Sequence, residues 1–245
     1  MKLQKLLSYV RRAVDDYNMI EEGDRIAVGV SGGKDSLALV VALKALQRFY
    51  PKNFELVAIS VNMGFEGMDF TPVTAMCAEL GVEYHIVDTD IGEIIFNERK
   101  EKNPCSLCAK MRKGALNTKV EELNCNKVAL GHNRDDVIET LLMALLYEGR
   151  IYTFSPVTYL DRMKITSVRP LIYVPEKEII GFARTENLPV VKSTCPADGN
   201  TKREDMKRRI AELKMDFDHL DEKLLGAVKR SFIQGWNIEK GESNG

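Results

Sequence analysis

Short apolar runs of β-type residues alternate with helical segments along most of this chain, and this alternation limits what the chain can fold into. The strand-like runs are RIAVGV at 25–30, ELVAISVN at 55–62, EYHIVD at 83–88, KVALGH at 127–132 and MKITSV at 163–168. Helical spacing follows at 36–46, 71–80, 106–123, 136–148 and 176–187. Strands that alternate with helices are joined by right-handed crossovers, which give a parallel sheet with helices on both faces. The pattern therefore predicts an α/β fold.

Two further segments flank this predicted α/β domain, which we place at 23–195. Residues 1–22 contain an amphipathic helix whose apolar residues form one stripe. They are Leu3, Leu6, Leu7, Val10, Ala13, Val14 and Tyr17. We expect this helix to pack either on its own domain or across a homodimer. Residues 196–245 are helical in pattern and begin with a basic cluster, so we predict a basic helical extension.

Net charge and cysteine usage narrow the class of protein. The chain of 245 residues has 35 Lys and Arg against 36 Asp and Glu, so it is not a globally basic nucleic-acid binder, and any site for a polyanion must be a local patch. Its five cysteines are an odd number, and we see no signal peptide and no apolar run of the roughly 18–20 residues that a membrane span needs. We expect a cytoplasmic protein without a membrane segment, whose cysteines are reduced.

A loop of small and polar residues, SGGKDS, joins the first strand to its helix. We call it the phosphate loop; its residues are Ser31, Gly32, Gly33, Lys34, Asp35 and Ser36. Backbone N–H groups at such a junction converge on an anion, and glycine lets the backbone approach it closely. Lys34 adds a positive charge, and Asp35 is placed to hold Mg²⁺ or to orient the loop. The spacing fits neither a γ-phosphate NTPase motif nor a GxGxxG dinucleotide motif.

A second polar loop, GHNRDD at 131–136, follows the strand-like run KVAL and precedes an apolar helix. Parallel sheets place their ligands at the carboxyl ends of strands, so we expect this loop and the phosphate loop to form one site. Capping of the helix explains a single Asp. It does not explain Gly131, His132 and the pair Asp135 and Asp136 together, whereas a Mg²⁺-assisted adenylation needs such groups beside a phosphate site.

Three of the five cysteines are candidate metal ligands. Cys105 and Cys108 form a CxxC pair and Cys195 lies in a separate loop, whereas Cys77 and Cys125 are placed like ordinary core cysteines. A structural zinc site, a redox or persulfide pair and an iron–sulfur cluster all remain open. Zinc would need a fourth protein ligand, and the sequence contains no second CxxC. Three thiolates on a 4Fe-4S cluster would leave one iron able to hold an extra sulfide.

Two groups of basic residues are candidates for RNA contact. The first follows Cys195 at the start of a predicted helix and consists of Lys202, Arg203, Lys207, Arg208 and Arg209. The second lies behind the CxxC pair and consists of Lys110, Arg112, Lys113 and Lys119. We expect them to hold RNA phosphates while an unstacked loop base enters the pocket.

The phosphate loop resembles the PP-loop of the ATP pyrophosphatase superfamily, whose members cleave ATP to AMP and pyrophosphate. The wider pattern resembles the TtcA family of tRNA 2-thiolases over most of the chain. The matching motifs, in family order, are KLQK near the start, NMIEEGD at 18–24, SGGKDS, PCSLC at 104–108, GHNRDD, RPL at 169–171 and EK at 176–177. The resemblance implies a Rossmann-like fold of the adenine nucleotide alpha hydrolase-like type.

The same resemblance implies roles for individual residues. It assigns ATP to Ser31, Gly32, Gly33, Lys34, Asp35, Ser36, Val61, Gly131, His132 and Asp136, with Mg²⁺ on Asp35. It assigns catalytic roles to Lys34, Arg112 and Asp135, and an oxygen-sensitive 4Fe-4S cluster to Cys105, Cys108 and Cys195.

The reaction that this resemblance implies is an ATP-dependent sulfur transfer to tRNA, in which the C2 oxygen of a pyrimidine is adenylated and then replaced by sulfur. We expect cytidine 32 of the anticodon loop as the target, which gives 2-thiocytidine. The alternatives are a tRNA 2-thiouridine synthase, a variant that uses a cysteine persulfide, and a non-catalytic metal module that binds nucleotide and RNA. The expected partners are tRNA and a sulfur donor, such as a cysteine desulfurase or free sulfide.

Overall fold

Six strands form the central sheet within the described part of the chain. The computed structural model describes residues 1–98, 104–192, 194–196 and 201–237. The strands are β1 (Asp24–Gly29), β2 (Phe54–Asn62), β3 (Glu83–Asp88), β4 (Lys127–Ala129), β5 (Val157–Leu160) and β6 (Ile165–Val168). Their order is β3-β2-β1-β4-β6-β5, and all neighbours are parallel except β5 and β6. The predicted Rossmann-like α/β fold is confirmed, with one antiparallel strand added at an edge.

The described α-helices are α1 (Leu3–Asp16), α2 (Lys34–Leu46), α3 (Thr71–Leu80), α4 (Ile91–Glu93), α5 (Pro104–Glu122), α6 (Arg134–Glu148), α7 (Glu176–Thr185), α8 (Lys202–Asp216) and α9 (Leu220–Arg230). A π-helical segment, Ile94–Glu98, directly follows α4. The longer helices lie where the apolar period predicts them. The pattern does not predict α4, the π-helical segment or β5, because segments this short hold too few apolar residues to define a period.

The sheet order places the two polar loops side by side. β1 pairs with β2 on one side and with β4 on the other, so the loops after β1 and β4 leave from adjacent strands at the same edge. β4 ends at Ala129, before the end of the run KVALGH at 132. Gly131 and His132 therefore belong to the loop rather than to the strand.

Helices cover both faces of the sheet. α1, α2, α3 and α7 contribute to the core on one face, and α5 packs on the other. α1 buries Leu6, Val10, Ala13 and Val14 completely and packs against α2 and α7 of its own chain. The N-terminal helix thus covers its own domain. No described helix has both the length and the apolar character needed to cross a membrane.

The C-terminal extension folds back on the α/β domain over its described part, which ends at residue 237; residues 197–200 and 238–245 lie outside the described ranges. α8 and α9 both pack against α6. Trp236 is 0% exposed, donates a hydrogen bond from Nε1 to the Phe154 carbonyl oxygen at 3.1 Å, and meets the Tyr17 ring edge-on at 6.0 Å. One side chain therefore joins the extension to the N-terminal helix region.

Replacing Trp236 with Ala is expected to lower the free energy of unfolding by about 3–5 kcal/mol, because it leaves a large cavity in the core. Urea unfolding followed by circular dichroism measures this change. The matched control is Phe232→Ala, since Phe232 is fully exposed; it should change stability by less than about 0.5 kcal/mol. A similar small effect of both variants would contradict the role of Trp236 in the core.

Candidate active site

The phosphate loop is closed by its own serine side chains. The Ser31 amide donates to Ser36 Oγ at 3.1 Å, and that hydroxyl donates to the Gly33 carbonyl oxygen at 2.9 Å. Gly32 has a φ of +82°, a left-handed value that favours glycine. Gly33 precedes α2 and no side chain caps this helix, so the first-turn N–H groups are available to an anion.

The second loop lies directly on the phosphate loop at Gly131. A Cβ atom at this position would lie 3.1 Å from the Ser36 amide nitrogen and 3.2 Å from the Asp35 carbonyl carbon. Both neighbouring atoms belong to the backbone and cannot rotate away. A side chain here would require the backbone of one loop to shift, so glycine favours this close approach, and the expectation that the two loops form one site agrees with the contact.

Five carboxylates gather where the two loops meet, and we call them the acidic cluster. They are Asp35, Asp135, Asp136, Glu139 and Glu176. Asn133 organises part of it, since its Oδ1 caps α6 by accepting from the amides of Asp135 and Asp136, and its Nδ2 donates to Asp35 Oδ1 at 3.0 Å. Asp136 completes a capping box, and Asp135 Oδ2 accepts from the Glu176 amide at 2.8 Å. Capping thus uses Oδ2 of Asp136, and Oδ1 accepts from Arg203 Nη1 at 3.2 Å.

Lys34 and two residues of α8 neutralise the acidic cluster. Lys34 Nζ lies 2.9 Å from Asp35 and 2.8 Å from Glu176. Burial acts to lower the pKa of Lys34, but these two carboxylates raise it above its ordinary value. Arg203 reaches Glu139 at 2.9 Å and Asp136 at 3.2 Å, and Lys207 reaches Glu176 at 3.2 Å. The cluster is therefore matched by cations from two distant parts of the chain.

The five basic residues expected to contact RNA do not share one surface. Met206 and Ile210 anchor α8 on the core, which turns Arg203 and Lys207 toward the acidic cluster. The packed face of an amphipathic helix determines which of its residues point inward, and the prediction that these residues contact RNA stays a prediction. Lys202, Arg208 and Arg209 are exposed.

A cavity of about 410 Å³ opens beside the phosphate loop, between α5 and the ends of the strands. Val61, Arg112 and His132, which the family resemblance assigns to ATP binding or catalysis, all line it. Ser167 and Arg169 line it as well. Three buried polar atoms of these residues have no hydrogen-bond partner: His132 Nδ1, Ser167 Oγ and Arg169 Nε. Such atoms are normally satisfied, so the cavity is suited to a polar ligand.

His132 is neutral at physiological pH. Burial lowers its pKa to about 3, and the positive charges of Arg169 and Arg203 act in the same direction. The ring stacks against Phe154 with centroids 4.8 Å apart, and the Arg169 guanidinium lies 5.1 Å from the centre of the same Phe154 ring. The cavity wall therefore combines a neutral imidazole with a cation.

Helix α5 brings the CxxC pair to the cavity. Cys105 and Cys108 lie in its first turns, three positions apart and hence on one face, and Ala109 and Arg112 of the same helix line the cavity. The pKa of Cys108 is raised, mainly by burial. The nearby thiols of Cys195 and Cys105 contribute to the rise, and the positive charge of Arg112 opposes it. Cys195 therefore lies near the pair although it follows by more than eighty residues. Cys77 and Cys125 are buried elsewhere in the core.

The three thiols are the ligand type that a 4Fe-4S cluster uses. Within the described ranges, no group of three His, Cys, Asp or Glu side chains is arranged around one ion. Ligands of a cluster bind different iron atoms, so their sulfur atoms stand farther apart than ligands of one zinc ion. Thiolates are the ligands that such clusters use, and Arg112 favours the thiolate of Cys108.

Comparison with known proteins places the chain in a family. A family model described as PP-loop domain matches residues 4–213. The chain is 40% identical over 237 residues to a tRNA-cytidine(32) 2-sulfurtransferase of Geobacter sulfurreducens, covering 96% of this chain and 89% of the relative. A tRNA-cytidine(32) 2-sulfurtransferase of Pelobacter propionicus is also 40% identical, over 92% of this chain and 85% of the relative. The chain belongs to the PP-loop family.

Among solved structures, this PP-loop protein is similar to the U34-tRNA thiolase NcsA from Methanococcus maripaludis, determined with its 4Fe-4S cluster. The TM-score is 0.73 at 27% identity, and the match covers 89% of this chain and 75% of NcsA. The NH3-dependent NAD synthetase of Campylobacter jejuni has a TM-score of 0.50 at 18% identity, with 92% of this chain and 93% of that chain covered, which reflects the fold alone.

Sequence reasoning about this PP-loop site did not find several residues that shape it. Asn133, Glu139 and Glu176 organise the charges around the phosphate loop, and Ser167 and Arg169 line the cavity. Arg169 and Glu176 lie in the motifs RPL and EK that resemble the family, but the motifs alone do not indicate what the two side chains do. Asn133 had a local signal, since it precedes an apolar helix and an acidic residue follows three positions later.

Gly131→Ala is expected to weaken ATP binding at least about tenfold, because the new Cβ must push the second loop away from the phosphate loop. Isothermal titration with a non-hydrolysable ATP analogue and Mg²⁺ measures the affinity. The control is Gly114→Ala in α5, where a Cβ meets nothing within 4 Å. An unchanged affinity of Gly131→Ala would mean that the contact is not needed for nucleotide binding.

His132 predicts a pH dependence of stability. The unfolded chain binds a proton on His132 near pH 6.5 and the folded protein only near pH 3, so stability falls as pH decreases through this interval. Between pH 7 and pH 5 the loss amounts to roughly 2 kcal/mol, since each unit below the unfolded pKa costs about 1.4 kcal/mol. Urea unfolding at both pH values measures it.

In His132→Asn this part of the pH dependence should disappear. In the control His219→Asn it should persist, because the His219 side chain is 74% exposed. If the wild type and His132→Asn lose equal stability between the two pH values, His132 does not have the lowered pKa.

Proposed function

We propose that this chain is an ATP-dependent tRNA sulfurtransferase that replaces the C2 oxygen of cytidine 32 with sulfur. The observation that supports it most directly is that the helix carrying Cys105 and Cys108 also lines a cavity that adjoins the phosphate loop. The 40% identity to tRNA-cytidine(32) 2-sulfurtransferases, over nearly the whole chain, supports the same reaction and the same nucleotide. The resemblance to a U34-tRNA thiolase supports the 2-thiouridine alternative at lower identity.

ATP occupies the phosphate loop and the cavity in this proposal. The amides of the loop and of the first turn of α2 bind the phosphates, and the cavity wall that includes Val61 and His132 takes the nucleoside. Mg²⁺ binds carboxylates of the acidic cluster, with Asp35 and Asp136 as its ligands, because Mg²⁺ prefers oxygen ligands. The ion neutralises phosphate charge and polarises the bond that breaks.

Adenylation makes the C2 oxygen a leaving group. This oxygen attacks the α-phosphorus, a C2–O–P linkage forms, and the bond to pyrophosphate breaks. Sulfur from the donor then attacks C2, and the oxygen leaves with AMP while the donor's proton passes to solvent. Lys34 and Arg112 stabilise the negative charge that develops on phosphate, and Asp135 fixes the second loop through its bond to the Glu176 amide.

Cys105, Cys108 and Cys195 hold the 4Fe-4S cluster in the proposed enzyme. When bound, the cluster supplies a position at which inorganic sulfur can be held for transfer. Burial raises the pKa of Cys108, and Arg112, which also lines the cavity, opposes this rise, so one side chain acts on both the ATP site and the cysteines. A cysteine desulfurase or free sulfide supplies the sulfur; in the alternative, the persulfide of a cysteine desulfurase transfers its outer sulfur to the thiolate of one of these cysteines and leaves as a thiolate.

The decisive experiment supplies the purified protein, loaded with iron and sulfide under oxygen-free conditions, with ATP, Mg²⁺, sulfide and unmodified tRNA. Mass spectrometry of the nucleosides should show 2-thiocytidine, with AMP and pyrophosphate formed in equal amounts. The appearance of 2-thiouridine in its place would favour the alternative target. Absence of pyrophosphate release would favour a binding module without catalysis.

Replacing Cys105, Cys108 or Cys195 with Ala should abolish the broad visible absorption of the loaded protein and lower 2-thiocytidine formation at least about 100-fold. ATP affinity should stay within about twofold of wild type, because none of the three thiols lines the cavity. Cys125→Ala is the matched control and should keep both absorption and activity, since Cys125 is a core residue. Full activity of the iron-free protein would support the persulfide alternative.

A further inference from the structure

An exposed surface of aromatic rings and cations lies where α6 ends, outside the site described above. It consists of Tyr147, Arg150, Ile151, Tyr152 and Lys202, and we call it the aromatic surface. Ile151 is 72% exposed, Tyr147 46% and Tyr152 42%. The Arg150 guanidinium lies 4.4 Å from the centre of the Tyr152 ring, and Lys202 Nζ lies 5.2 Å from the centre of the Tyr147 ring. Each exposed tyrosine therefore already has a cation over its ring.

The chain that follows Tyr152 connects this surface to the cavity. Thr153 is buried and its hydroxyl donates to the Val137 carbonyl oxygen at 3.1 Å, and Phe154 stacks against His132 of the cavity wall. Burial lowers the pKa of Arg169 to about 10, and Tyr152 is close enough to act in the opposite direction. Tyr152 of the aromatic surface is thus two residues from Phe154, which contacts His132 of the cavity wall.

We infer that the aromatic surface binds unpaired RNA nucleotides that flank the target base, an inference that rests on the proposed function. Bases of single-stranded loops stack on tyrosine rings and on guanidinium planes, and Lys and Arg neutralise the adjacent phosphates. Arg150 pairs with Glu148, and the exposed Lys202, Arg208 and Arg209 extend the positive charge along α8. A flexible loop held here presents its neighbouring base to the cavity.

A second copy of the chain is the other candidate occupant and fits the charges less well. Around a twofold axis, a surface meets its own copy, so Arg150 and Lys202 would approach cations of the same surface. Removing water from such charges without opposite partners is costly. Nucleic acid supplies flat bases that can stack on the tyrosine rings and phosphates that can pair with Lys202, whereas Arg150 already pairs with Glu148.

Binding of the anticodon stem-loop of the substrate tRNA, measured by fluorescence anisotropy at fixed salt, tests the inference. Tyr152→Ala and Tyr147→Ala should each raise Kd by about tenfold, in line with the loss of one stacked base. Tyr152→Phe should bind like wild type, whereas Tyr152→Leu should not restore affinity because it keeps apolar area without a flat ring. Phe49→Ala is the control, since Phe49 is 50% exposed, follows α2 and is not part of the aromatic surface.

Affinity for an ATP analogue, measured on the same samples, should be unchanged in all variants and reports that the fold is intact. If the wild type does not bind the stem-loop, the proposed function itself fails. If the wild type binds and both Tyr→Ala variants bind equally well, only the aromatic surface is excluded. If Tyr152→Leu restores affinity, or if Tyr152→Ala halves the mass in light scattering, the surface is an apolar contact between copies and the inference is overturned.

Discussion

The backbone contact between Gly131 and the phosphate loop determines how the rest of the site is assembled. Because β4 lies beside β1, the loops that follow them leave the sheet together, and the missing side chain at Gly131 lets them touch. The residues after Gly131 then fall into fixed places. His132 enters the cavity wall, and Asn133 caps α6 while binding Asp35 across the gap. The contact between the two loops thus positions both the cavity residue His132 and the carboxylate of Asp35.

The junction of the two loops brings the carboxylates of the acidic cluster together, and cations from α8, a helix distant in sequence, form ion pairs with them. Glu139 is only 2% exposed, and this burial raises the pKa of its carboxyl group to about 7. The negative charge of Asp136 also raises this pKa, whereas the positive charges of Lys207 and Arg203 lower it. Without cations from α8, the carboxylates would repel one another and any incoming polyphosphate. The C-terminal extension therefore supplies charge to the site as well as covering α6. Cys195 lies on the segment that leads into α8, so the proposed cluster ligand and these cations share one stretch of chain.

Sequence patterns predicted those parts of the molecule that depend on local geometry. Alternating strands and helices predict the order of layers, and SGGKDS and GHNRDD predict the loops, because glycine spacing and helix starts are local properties. The orientation of Arg203 and Lys207 is different. A run of basic residues in the sequence does not show which face of the helix points to solvent. Here the burial of Met206 and Ile210 determines the orientation of α8. β5 is likewise set by pairing with β6, a contact that residues 157–160 alone do not encode.

The electrostatics of the cavity limit what chemistry its wall can perform. With a pKa of about 3, His132 holds no extra proton to donate at neutral pH, so it acts as a neutral hydrogen-bonding and stacking group. The positive charge of the wall comes from Arg169, whose pKa of about 10 keeps it protonated, and from Arg112 and Lys113. Cations that stay protonated stabilise the negative charge that develops on a phosphate in the transition state, but they do not act as general bases that activate water. Such a wall suits the attack of a nucleobase oxygen on phosphate, a step in which the nucleophile is already a carbonyl oxygen and no proton has to be removed from it.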